Sequence, residues 1–171
     1  MPDWSIEHLA KHHGLSDFDC GKPLLTDWIK QYASQNERRN LSRTFVAVHP
    51  GERRVFGYYS FSSYSVQFAS PPPAAFKNLP KAQPVPAALI GRLAVDKSVQ
   101  GQGLGSVLLG SALRRALSLE GQLAIHSVVV HAIDEDARRF YLKQGFESFL
   151  DNPNHLFIPM KLIRKLEFHF D

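Results

Sequence analysis

The sequence predicts an α/β domain, a mixed central β-sheet flanked by α-helices on both faces. Three observations lead there. Strand-like alternation fills 44–68, an apolar strand runs into a glycine-rich turn and a helical pattern over 87–119, and a second strand–helix pair follows over 125–144. Hairpin-linked strands pair antiparallel, whereas strands joined through a helix pair parallel, so one sheet must hold both kinds.

In chain order, Leu24, Leu25, Trp28, Ile29 and Tyr32 recur at helical spacing, in a segment ending near Asn36–Asn40. Thr44–Val48 and Arg54–Phe61 read as a hairpin turned by His49-Pro50-Gly51-Glu52, and alternation continues through Tyr64–Phe68. Ser70-Pro71-Pro72-Pro73 stops it, because proline donates nothing to a ladder, and the proline-rich stretch 70–86 is a loop. The strand Ala87–Val95, the helix from Gly103 to Leu119, the strand Ile125–Val130 and the helix Asp134–Gln144 follow. A last hairpin uses Phe146–Phe149 and Leu156–Met160, and the tail Glu167–Asp171 carries no signal.

At 171 residues and 44% hydrophobic content the chain suits a single domain, 1–171, with a core that needs no staple. Its apolar runs are short of a membrane span and Met1-Pro2-Asp3-Trp4 starts no signal peptide, so the expectation is a cytoplasmic protein away from membranes. The single cysteine, Cys20, rules out an internal disulfide and a cysteine-based zinc site and reads as structural. A net charge of +4 suits a polyanionic partner. Its basic residues cluster at Lys30, Arg38, Arg39 and Arg43, at Arg114 and Arg115, at Arg138, Arg139 and Lys143, and at Lys161, Arg164 and Lys165.

The glycine-rich turn is the most informative feature. Leu93-Ala94-Val95 leads through Gln100-Gly101-Gln102-Gly103-Leu104-Gly105-Ser106 into the helix, so free backbone N–H groups and a positive helix end converge as they do on a phosphate. A P-loop needs Lys-Ser/Thr after its last glycine, and here Ser106-Val107 follows. The dinucleotide fingerprint needs a three-residue step from its second to its third glycine, yet Gly101, Gly103 and Gly105 alternate. Plain chain reversal also uses such turns. A second segment, Asp134–Phe146, starts with acids, ends with cations and places Gly145 where a helix C-cap glycine belongs, with Ala137, Phe140, Tyr141 and Gln144 at helical spacing.

Gln100-x-x-Gly103-x-Gly105 resembles the acetyl-CoA pyrophosphate loop of the GNAT superfamily of N-acetyltransferases, and Ala137-x-x-Phe140-Tyr141-x-x-x-Gly145-Phe146 resembles that superfamily's later helix. The resemblance runs from about residue 4 to residue 165 and implies the GNAT fold, with acetyl-CoA as co-substrate and no metal. It implies that Leu93, Ala94, Val95, Gln100, Gly101, Gln102, Gly103, Leu104, Gly105, Ser106, Asp136 and Phe140 meet the cofactor. Tyr141 would protonate the departing CoA thiolate, the backbone N–H near Val95 would polarise the thioester, and Phe140 would pack in the core.

Further segments narrow the likeness: Gly14–Gly21, Leu24–Ile29, Asn40–Val46, Gly91–Asp96 and His155–Lys161 are similar to the GNAT toxins of bacterial toxin–antitoxin pairs. That resemblance implies acetylation of the α-amino group carried by charged tRNA, a block of translation, a ribbon-helix-helix antitoxin and a homodimer. Arg92, Arg38 and Arg39 are the candidate contacts to the tRNA, with Arg92 as a solvent-facing strand charge the other reading.

An α-amine, with a pKa near 7.7 to 8.0, needs little or no base, unlike a lysine near 10.4. Asp96 is the nearest candidate base, but capping the turn before the glycine loop explains it as well. None of His8, His12, His13, His49, His126, His131, His155 and His169 shows metal-ligand spacing with acidic or cysteine partners; His131 either lines the cleft or packs. Two other readings stay open: an acetyltransferase for a small or protein amine, and a module that binds acetyl-CoA or RNA without turnover.

Overall fold

The computed structural model describes residues 3–68, 72–80 and 83–166; the tail 167–171 and the start of the proline run, Ser70 and Pro71, lie outside the described residues. The elements are β1 (Ser5–His8), α1 (Pro23–Gln31), α2 (Ala33–Arg38), β2 (Arg43–Val48), β3 (Gly57–Val66), β4 (Val85–Val95), α3 (Leu104–Leu119), β5 (Ser127–His131), α4 (Glu135–Lys143), β6 (Glu147–Ser148), β7 (His155–Pro159) and α5 (Met160–Leu166). They form one seven-stranded sheet in the order β1-β2-β3-β4-β5-β7-β6. β4 and β5 pair parallel, while β1 with β2, β2 with β3, β5 with β7 and β6 with β7 pair antiparallel, the mixed sheet that the sequence predicts. Among the described residues, tertiary contacts give two compact units: those up to Ser62 with Gly91–Ala112, and those of Ser63–Ile90 with those from Leu113 to Leu166.

In the first unit the predicted long helix is two. The backbone leaves helical geometry at Tyr32 (φ −119°), ending α1 and starting α2. α2 stops at Asn40, whose φ of 59° is left-handed, with Leu41 N donating to Asn36 O at 2.9 Å and Asn40 N to Glu37 O at 3.1 Å. Those two bonds close a Schellman cap on an asparagine in place of the usual glycine. Trp28 and Ile29 of α1 pack with Phe18, Val46, Val48, Tyr58 and Ala94, and the Tyr58 hydroxyl donates to Leu25 O at 2.6 Å.

The predicted hairpin turn holds, with Glu52 N donating to His49 O at 2.9 Å, yet the second strand starts at Gly57 and not at Arg54. Residues 53–55 are taken by Gly14, whose N–H donates to Arg53 O at 2.7 Å and whose carbonyl accepts from Val55 N at 3.0 Å. That partner lies too far off in sequence for a local pattern to expose. β1, also unforeseen, adds to the free side of β2 with Ser5 opposite Val48. At Gly57 an added Cβ would stand 2.9 Å from Leu108 Cδ1 and 3.1 Å from Ala94 O, so only glycine lets α3 lie this close to the sheet.

In the second unit Val66, Phe76, Val85, Ala87, Val129, Phe149 and Phe157 form the core. The proline-rich loop is more than a connection, because a short 3-10 turn at Ala74–Phe76 sets the Phe76 ring against Phe157 with centroids 5.0 Å apart. β5 begins at Ser127, two residues later than expected: His126 N already donates to Pro86 O of β4 at 2.9 Å, but proline has no N–H to donate to the ladder there. The last hairpin forms as predicted, Glu147 opposite Phe157, but β7 enters between β5 and β6. α5 follows without a break.

Candidate active-site elements

The glycine turn belongs to the first unit and is braced from below. Asp96 Oδ1 accepts from Ser98 N at 2.9 Å and Ser98 Oγ at 2.7 Å, and its Oδ2 accepts from Asp19 N at 2.9 Å. Arg54 stands 3.8 Å away. Burial pushes this carboxyl up, but the Ser98 and Asp19 donors outweigh it and hold it below the usual carboxylate range. A carboxylate so occupied caps the turn before the glycine loop, the capping half of the two readings.

Gln100 braces the turn as well. Its Nε2 donates to Cys20 O at 3.0 Å and to Val95 O at 2.9 Å, so its amide hydrogens are committed to the protein. Cys20 is buried, with Sγ 3.2 Å from Thr26 Oγ1, in keeping with its structural reading. Gly101 and Gly103 adopt φ of +80° and +86°, and an added Cβ at either would meet nothing within 4 Å. The outer side of the turn is therefore bare backbone with open space, the form of an anion cradle. Leu104 is buried, so a ligand would meet its backbone only. Along β4, Ala94 sinks into the core with Trp28, while half-buried Leu93 and Val95 share the opposite face. Gln102, Gly105 and Ser106 continue the turn into α3.

Arg92 is half-buried, contrary to the solvent-facing alternative. Its guanidinium carbon lies 4.2 Å from the Trp28 ring centroid, and burial, only partly offset by Tyr58, lowers its pKa. Trp28 in turn stacks on Tyr58 at 5.9 Å and 14°. Nothing in the spacing of Trp28 and Arg92 signals this pair, because it joins a helix to a strand far along the chain. Arg38 and Arg39, at the end of α2, are exposed.

In the second unit α4 is built at both ends. Asp134 Oδ1 accepts from Ala137 N at 2.9 Å, Glu135 and Asp136 sit in the first turn and Lys143 in the last. At the far end Gly145 takes φ +100°, Phe146 N donates to Tyr141 O at 3.1 Å and Gly145 N to Leu142 O at 3.1 Å, a Schellman cap. Tyr141 is thus fixed by its own carbonyl.

Its ring is 3% exposed, with Phe140 at 5.3 Å and Phe146 at 5.5 Å, and burial pushes the phenol well above its ordinary pKa. The hydroxyl has no hydrogen-bond partner among the described residues. The structure corrects the expected assignment of the aromatic pair: Phe140 is half-exposed, and Tyr141 is the buried one. Asp136 is exposed and lies 3.9 Å from Arg139.

His131, at the end of β5, stacks on His155 with centroids 3.8 Å apart and meets the edge of Tyr64 at 5.4 Å. Burial lowers the pKa of His155 against the pull of Asp151. In the first unit Glu7, His12 and His13 bring potential ligand atoms within 4.8 Å of one another, a gathering that the sequence spacing does not reveal. His13 Nδ1 accepts from Ala10 N at 2.9 Å, which leaves the ring proton on Nε2, 2.9 Å from Glu7 Oε1. That tautomer presents a proton and not a lone pair to the cluster, so the trio is a hydrogen-bonded clasp on β1.

A model described as the acetyltransferase (GNAT) family matches residues 6–146. Among characterised proteins, the tRNA-acetylating toxin of Mycobacterium tuberculosis (strain ATCC 25618 / H37Rv) is 38% identical over 152 residues, 89% of each chain. Among solved structures, AtaT complexed with acetyl-methionyl-tRNAfMet superposes with a TM-score of 0.87 at 31% identity, covering 96% of this chain and 99% of that one. A mutant AtaT toxin bound to the C-terminus of the antitoxin AtaR and acetyl-CoA gives a TM-score of 0.84 at 30% identity, covering 97% and 99%.

Proposed function

This chain belongs to the GNAT acetyltransferase family, and from that premise we propose that it transfers acetyl from acetyl-CoA to the α-amino group of an amino acid esterified to tRNA, blocking translation. The observation that carries the mechanism is the buried, neutral phenol of Tyr141. Support for the acceptor comes from the tRNA-acetylating relative, from the AtaT complex with acetyl-methionyl-tRNA and from a net charge of +4.

The open glycine turn, with Gly101 and Gly103 at positive φ, holds the pyrophosphate of acetyl-CoA through backbone N–H groups. An α-amine is partly neutral at pH 7, so its nitrogen attacks the thioester carbonyl without a general base. The C–N bond forms, the C–S bond breaks, the amine's surplus proton leaves to water, and Tyr141 donates its phenolic proton to the thiolate before being reprotonated by solvent. The Tyr141 phenol is protonated at neutral pH and has no competing acceptor among the described residues, so its proton is available to the thiolate, although burial makes it a weaker acid than an exposed phenol. Arg38 and Arg39 provide exposed charge toward the tRNA backbone.

The same reading makes the protein a homodimeric cytoplasmic toxin neutralised by a ribbon-helix-helix antitoxin. The AtaT–AtaR complex supports the antitoxin part.

Labelled acetyl-CoA incubated with charged tRNA, uncharged tRNA, free amino acids and lysine peptides tests the acceptor. Acid-precipitable label on charged tRNA alone is expected. Label on peptides or free amines replaces this reading with a metabolic or protein acetyltransferase, and acetyl-CoA binding without turnover replaces it with a binding module.

A further inference from the structure

Among the described residues Arg92 has neither a carboxylate partner nor a hydrogen-bond acceptor, although it is half-buried. Desolvating a guanidinium without a counter-charge is costly, and the covered Trp28 face returns only part of that cost. Several exposed cations behave differently. Arg43 is paired with Glu37 at 3.2 Å, Lys97 with Asp19 at 2.9 Å and Arg164 with Glu120 at 3.1 Å, at positions where solvent makes a partner least necessary. Arg92 has more to gain from an anion than any of these three.

Its geometry is prepared. The guanidinium is seated over the Trp28 ring, and that ring is itself held by its stack on Tyr58, whose hydroxyl donates to Leu25 O. Arg92 stands three residues before Val95 on β4, about 10 Å along the strand from the residue whose carbonyl holds the glycine turn through Gln100.

We infer that Arg92, held on Trp28, is a phosphodiester-reading residue that grips the terminal nucleotide of the acceptor RNA, the nearest negative charge to the reacting amine. This rests on the acceptor proposed above. A phosphodiester is favoured over a carboxylate because an esterified amino acid has lost its carboxylate, and because the surplus positive charge draws a polyanion. Two parallel N–H···O bonds to one phosphate suit arginine and are beyond lysine.

The test compares wild-type protein with Arg92→Lys and Arg92→Gln. It measures KM and kcat for charged tRNA across a salt series, acetyl-CoA binding by calorimetry, and thermal melting as a check on folding. Both variants should bind acetyl-CoA. Arg92→Gln should raise KM for charged tRNA about tenfold, the scale of a lost charge-assisted contact, and reduce the slope of log(kcat/KM) against log salt by about 0.7. Arg92→Lys should keep most of the salt slope yet still raise KM, because the point charge survives and the bidentate fork does not.

Unchanged KM and slope in Arg92→Gln, with wild-type protein active on charged tRNA, overturns the assignment and leaves the acceptor reading intact. Competition by free amino acids that Arg92→Gln abolishes, with the salt slope unmoved, reassigns the guanidinium to a carboxylate and likewise overturns it. Wild-type protein that neither binds nor acetylates charged tRNA fails the acceptor reading itself, and this inference falls with it.

Discussion

Two residues concentrate the chemistry that can be tested one side chain at a time. Tyr141→Phe keeps the packing against Phe140 and Phe146 but removes the proton donor, so kcat should fall by about 10²- to 10⁴-fold while acetyl-CoA still binds, as steady-state rates and calorimetry would reveal. A wild-type rate would remove Tyr141 from the mechanism. Asp96 controls acid stability. Its carboxyl is held below the ordinary range, so its stabilisation is complete above the unfolded-state value near 4 and drains away as pH falls through the folded-state value. Asp96→Asn should therefore lower the urea midpoint at pH 7 and narrow the gap between midpoints at pH 7 and pH 3. At this scale the motif residues Tyr141, Gly101 and Gly103 were legible, because a strand–turn–helix spacing and a C-cap glycine announce them. The burial of Tyr141 in place of Phe140 was not, because neighbours on one helix both fit an apolar stripe until the packing partner, Phe146, is known. The Arg92–Trp28 contact had no local signal at all.

Among the elements, α4 is the one whose ends matter most. The Asp134 cap and the Gly145 Schellman motif bracket Tyr141 within nine residues of helix, too short to hold itself together on propensity alone. Asp134→Ala should cost about 1 kcal/mol in a denaturant melt. Gly145→Ala, at φ +100°, should cost about as much or more and also lower kcat, since Tyr141 offers its carbonyl to the bond that the cap makes. Loss of stability with kcat unaltered would show that the cap does not position the phenol. These boundaries could be read in advance because capping residues act locally. The break at Tyr32, the late start of β3 and the existence of β1 could not, because Gly14, β2 and the core of the first unit decide them from a distance.

Across the whole molecule, the expected single domain becomes a proposal about cooperativity. β3, β4 and α3 each contribute residues to both compact units, so unfolding one unit must disrupt elements of the other. Urea denaturation followed by tryptophan fluorescence, which reports Trp4 and Trp28 of the first unit, and by far-ultraviolet circular dichroism should give coincident transitions. Separate midpoints would instead mark two domains. The fold class was readable because it depends on the order of strands and helices, but the position of β7 was not, since sequence order places it at an edge and pairing places it inside. That insertion has a consequence for synthesis. The strand that joins β5 to β6 is made after both of them, with Ser127 waiting for Pro159 and Val130 for Leu156. The sheet of the second unit therefore cannot be completed on a nascent chain that is still short of residue 159. Until that residue is made, β5 has β4 alone for a partner and β6 has no partner strand at all.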